Sequence, residues 1–93
     1  MNFVICYDIG SDKARGKVLK ILKDYGTPIQ KSVVEIVNMG ESELIWCLER
    51  LADWVKPEKG DLLRLYPMCE KCAGKIRIMG GNAAMEEQTS QVL

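Results

Sequence analysis

Residues 2–26, NFVICYDIGSDKARGKVLKILKDYG, change their period once, and that change decides the fold. From Asn2 to Ile9 the stretch is almost continuously apolar and rich in β-branched and aromatic side chains, the pattern of a central strand buried on both faces. Gly10-Ser11-Asp12 then supplies turn chemistry, with Ser11 or Asp12 placed to cap a helix. From Lys13 to Tyr25 the period becomes helical. Ala14, Val18, Ile21, Leu22 and Tyr25 share one face, while Lys13, Lys17, Lys20 and Asp24 share another. Gly26 stops the helix, with Pro28 just beyond it.

Outward from this unit, residues 28–38 (PIQKSVVEIVN) return to β character, and Gln30-Lys31-Ser32 breaks the run into a bulge or two short strands joined tightly. Glu41 and Glu43 suit a helix N-terminus through the macrodipole. That helix is expected to reach about Val55, with Leu44, Leu48, Leu51 and Val55 as its core stripe and Trp46 pointing away. After a turn at Glu58-Lys59-Gly60, residues 61–66 (DLLRLY) form a strand. Lys75 to Met79 alternates charged and apolar residues, as a half-exposed edge strand does. The order is that of an α+β, ferredoxin-like βαββαβ sandwich, both helices on one sheet face, with an additional C-terminal edge strand. A small sheet with one bare face commonly dimerises. A two-fold homodimer is expected, the last strand reaching onto the partner's sheet. Residues 1–80 form the domain and 81–93 a loop-like tail, flexible or docking on a partner.

Composition narrows the chemistry. Apolar residues make up 47% of the chain and charged ones 28%, which fits one globular domain rather than disorder. The longest uncharged stretch, Ile78 to Met85, is far too short to cross a membrane, and the N-terminus lacks a signal peptide's basic lead, so a cytoplasmic chain is expected. Thirteen basic residues balance 13 acidic ones, so any nucleic-acid binding must arise from local clustering. Histidine is absent. Imidazole acid–base pairs, Ser-His-Asp triads and His-ligated zinc are therefore excluded within one chain. Cys6 and Cys47, in apolar runs, read as small buried core residues. Cys69-x-x-Cys72 follows a strand and is half a zinc knuckle with no second half, so a structural role outweighs metal or disulfide use.

Asp8 closes the apolar first strand. One reading has its carboxylate cap the turn that follows. The other has two copies meet across a two-fold axis and share a hard divalent cation, Mg2+ or Mn2+. Such a site polarises a phosphodiester without histidine. Lys13, Arg15 and Lys17 in the first helical turns are placed to track a phosphate backbone, with Lys31 beside Ser32 on the same sheet edge. A plain solvated helix face is the alternative.

Tyr7-Asp8, Asp12-Lys13-x-Arg15-x-Lys17, Leu22-Lys23-Asp24-Tyr25-Gly26, Gln30-Lys31-Ser32-Val33 with Glu35, and Leu65-Tyr66-Pro67-Met68-Cys69 stand in an order and spacing that resembles the small CRISPR-associated endoribonucleases of the spacer-acquisition module, the Cas two family. The resemblance spans residues 2 to about 80. It implies a ferredoxin-like homodimer with a strand crossing between subunits and a metal site built by Asp8 of each. It implies a metal-dependent nuclease acting on single-stranded RNA or double-stranded DNA, and a scaffold for the CRISPR integrase protein and its spacer DNA. Tyr7, Arg15 and Lys17 match positions near the scissile phosphate or the backbone. Pro28 and Val34 depart from the family's basic and aromatic residues there, which thins the nucleic-acid surface and favours scaffolding. A toxin-like ribonuclease of the same fold and a non-catalytic DNA-binding scaffold are the alternatives, with a small-molecule regulatory module behind them.

Overall fold

A computed structural model describes residues 1–75, 77–79 and 91–92. The elements run β1 (Asn2–Asp8), α1 (Asp12–Lys23), β2 (Thr27–Gln30), β3 (Val33–Ile36), α2 (Glu41–Ala52), β4 (Leu62–Met68), α3 (Glu70–Ala73), β5 (Arg77–Ile78) and β6 (Gln91–Val92), with a short 3-10 turn at Pro57–Lys59. The first four strands form one sheet in the order β2-β3-β1-β4, with β1 antiparallel to both its neighbours. This is the ferredoxin-like arrangement the sequence pattern leads one to expect.

Side chains alternate across the sheet with period two. Phe3, Ile5, Tyr7 and Ile9 face the helices and are buried, together with Val34 and Ile36 of β3, Val18, Ile21 and Leu22 of α1, and Cys47 and Leu51 of α2. Burying each such aliphatic side chain is worth roughly 1.5–3 kcal/mol. The opposite face carries Val4 and Cys6, half-buried, and Asp8, exposed, flanked by Leu62, Arg64 and Tyr66 of β4. In this chain, then, β1 is covered on one face rather than two. On the other face, among the described residues, Asp8 is exposed and Cys6 half-buried while Asn2 and Glu35 are buried, so Cys6 lies outside the core between sheet and helices.

Local chemistry places each boundary. Ser11 is the α1 N-cap, its Oγ accepting the Ala14 N–H at 3.2 Å. The chain leaves α1 with the Gly26 N–H on the Leu22 carbonyl at 2.9 Å. Lys31-Ser32 makes the tight β2–β3 turn, Ser32 adopting a left-handed φ of 65°, and the register slips between Pro28 and Gln30. The broken run thus contains both a bulge and a hairpin.

α2 ends at Ala52, three residues short of the expected Val55. Its buried stripe is Cys47 and Leu51 with Leu44 at the margin, while Leu48 is 40% exposed. Trp46 points outward, as its position on the helix requires. The strand expected at Lys75 to Met79 is present as β5, paired in parallel with β6 outside the main sheet. Gln91 and Val92 thus belong to a strand, while the rest of the expected tail lies outside the described residues.

Candidate nucleic-acid interface and metal site

The C-terminal end of β1 meets the start of α1 and the β2–β3 turn. There a cleft of about 290 Å³ is lined by Tyr7, Asp12, Arg15, Leu19, Lys31 and Ser32. Four of the residues singled out in the sequence thus converge. The Tyr7 N–H donates to the Ser32 carbonyl at 3.0 Å, tying the turn to β1. Arg15 folds back over the strand end, its Nη1 donating to the Ile9 carbonyl at 3.1 Å and its Nη2 pairing with Asp12. Burial pushes the Tyr7 phenol up, and the Arg15 guanidinium partly opposes it. Tyr7 is therefore a neutral donor, and Arg15 a positioned cation, at the cleft wall.

Asp8 is the next residue along β1 and so points to the other sheet face, opposite Leu62 and exposed. Lys13 is exposed on the first turn of α1. Lys17 goes elsewhere. Its Nζ sits 5.7 Å from the Trp54 ring centroid, in a groove between α1 and α2 that also holds Lys20, Asp24 and Arg50. Tyr7, Arg15, Lys31 and Ser32 therefore cluster on one face of the strand end, Asp8 stands at the same end on the opposite face, and Lys17 lies apart from both.

Among the described residues no three Cys, Asp or Glu side chains converge as a metal-ligand group. One copy offers a hard cation the Asp8 carboxylate on the open face, and a complete ligand set there needs oxygens from outside the chain.

Two acids have roles that the sequence reading does not assign. Asp61 clamps the loop after β1, accepting the Gly10 N–H at 3.0 Å and the Lys56 N–H at 2.9 Å, and these amides hold its carboxyl below the usual range. Its only sequence signal is an acid directly after the Gly60 turn. Glu35 is only 4% exposed on the open-face side of β3, between Val4 and Thr27. Its Oε1 has no hydrogen-bond partner among the described residues, and burial pushes its carboxyl up. Nothing in the run 28–38 announces that its one acid is buried.

Fold and strand-end cluster define a small ferredoxin-like α+β protein with one open sheet face and a carboxylate at its rim. Within that class, the chain belongs to the CRISPR associated protein Cas2 family, whose model matches residues 1–76. It is 38% identical to CRISPR-associated endoribonuclease Cas2 1 of Chloroflexus aurantiacus, over 98% of this chain and 95% of that one. It is 36% identical to CRISPR-associated endoribonuclease Cas2 2 of Methanospirillum hungatei, over 86% of each. Among solved structures it is similar to a hypothetical protein of Thermus thermophilus, at a TM-score of 0.73 and 30% identity over 85% of this chain and 89% of that one. It is also similar to Streptococcus pyogenes Cas2, at 0.68 and 28% over 75% and 88%.

Proposed function

We propose that this protein is a divalent-metal-dependent endoribonuclease that works as a two-fold homodimer in CRISPR spacer acquisition. The observation that carries this is the position of Asp8, exposed at the end of the central strand on the sheet face away from the helices, one residue along the chain from Tyr7 of the Tyr7–Arg15–Lys31–Ser32 cleft. The names of the relatives, CRISPR-associated endoribonucleases, support the activity.

Packing the open faces of two copies together brings a second Asp8 to the rim, and paired carboxylate oxygens suit Mg2+ or Mn2+. When bound, such an ion supplies Lewis-acid polarisation of a phosphodiester and lowers the pKa of a bound water. The chain's own residues position the strand. Arg15, Lys13 and Lys31 hold backbone phosphates and Ser32 and Tyr7 donate hydrogen bonds, while Lys17, drawn over Trp54, lies off this track. These contacts carry no base readout, so cleavage is weakly sequence-specific. The same surface serves duplex DNA and the integrase protein as a scaffold, with β5 reaching onto the partner subunit's sheet.

Labelled single-stranded RNA and duplex DNA, incubated with magnesium or with EDTA, test this directly. Cleavage is expected only with magnesium, and Asp8→Ala is expected to reduce it at least about 100-fold, the size of loss that removing one electrostatic group from such a site produces, with the dimer intact. Bound but uncut DNA, indifferent to Asp8, leaves only a scaffold.

A further inference from the structure

Cys69-Glu70-Lys71-Cys72 forms the joint between β4 and β5. β4 ends at Met68, and the chain turns directly into the single-turn helix α3. Cys69 occupies the N-cap with extended backbone, and its Sγ accepts the Cys72 N–H at 3.3 Å, a place usually filled by a serine or aspartate oxygen. The three-residue spacing puts both side chains on one face of the turn, against each other. Both are exposed, whereas Cys47 is buried and Cys6 half-buried.

The two thiols are made unequal. The neighbouring Cys72 thiol and the Cys72 N–H on the Cys69 sulfur draw the Cys69 thiol below the usual range, while the Cys69 sulfur pushes the Cys72 thiol up. One sulfur is thus an accessible nucleophile and the other a protonated neighbour within reach, the division of labour of a dithiol that exchanges disulfides. A closed tetrahedral metal site needs four ligands, and no third Cys, Asp or Glu joins this pair among the described residues.

We propose that Cys69 and Cys72 are a redox-active dithiol whose substrate is a low-molecular-weight disulfide. The Cys69 thiolate attacks one sulfur of the disulfide, whose S–S bond breaks to release a thiolate and leave a mixed disulfide on Cys69. Cys72 then loses its proton to solvent and attacks the Cys69 sulfur. The second thiolate leaves, the Cys69–Cys72 bond closes, and the substrate has been reduced by the two electrons the protein has lost. Closure staples the joint between β4 and β5.

Glutathione disulfide is the probe, with tryptic peptides read by mass spectrometry. Trypsin cuts after Lys71, between the two cysteines, so closure leaves Leu65–Lys71 covalently joined to Cys72–Lys75. The wild-type protein is expected to lose two hydrogens and retain no glutathione. Cys72→Ser is expected to stop at a stable glutathione adduct on Cys69. Cys69→Ser is expected to react at least about tenfold more slowly, since the activated thiolate is gone. Unlinked peptides, a lasting adduct on the wild type, or equal rates for the two serine variants overturn the proposal. Circular dichroism confirms that each variant is folded.

Discussion

Gly26 leaves no room for a side chain. A Cβ there would stand 2.3 Å from the Glu35 carbonyl oxygen, which belongs to a paired strand and cannot move aside. Gly26→Ala is expected to cost about 1–3 kcal/mol, the range for overpacking a fitted site, read as a lower urea midpoint at unchanged slope. Two acids pull stability in opposite directions with pH. The Asp61 carboxyl is depressed by its two amides, so its contribution is present above the unfolded carboxylate range and fades as pH falls through the folded value. Glu35 is raised by burial, so its charged form opposes folding, and that penalty is relieved as pH falls through the raised value. Glu35→Gln should therefore raise the melting temperature more near neutrality than in acid. Asp61→Asn should lower it near neutrality and leave it nearly unchanged in strong acid. Thermal scans across pH distinguish the two. Burial and amide contacts are tertiary facts that no local pattern encodes, so neither role is legible in the sequence around the acid.

α1 was the most legible element because its cap, its stripe and its stop agree. Ser11→Ala is expected to cost about 1 kcal/mol through the lost cap to Ala14, measurable by denaturant titration. α2 was less legible, for a physical reason. Its sequence has apolar residues on more than one side, Ile45, Trp46, Cys47 and Leu48 in succession, so periodicity alone did not choose the buried stripe. Packing chose Cys47, with Leu51 one turn on, and left Leu48 at the rim. The two helices are also tied across their ends, where Arg50 donates to Asp24 at 3.0 Å and to the Tyr25 hydroxyl at 3.2 Å and lies over the Tyr25 ring. The sequence assigns no element to Cys69–Cys72 beyond its place after a strand, because a helix of four residues leaves no periodic trace.

The four-strand order could be read from the sequence because each element announced its type and the connections admit few topologies. The clustering of Tyr7, Arg15, Lys31 and Ser32 followed from that order, since it sets the β2–β3 turn beside the end of β1. The departure of Lys17 toward Trp54 did not, because the two residues meet only once α1 and α2 are packed. If the open face is the subunit interface, Tyr66→Glu places a charge on it. The variant should sediment as a monomer at micromolar concentration and lose cleavage with Asp8 intact, and a dimeric, active variant would refute the arrangement. The position of β1 in the middle of the sheet has another consequence, for biosynthesis. The strand made first pairs with Leu62–Met68, so Asn2 waits for Met68 to be translated. At about 5–20 residues per second, the interval is roughly several seconds. During it Phe3 and Ile5 lack a neighbour on one side, which leaves apolar surface and an unpaired strand edge exposed on the nascent chain.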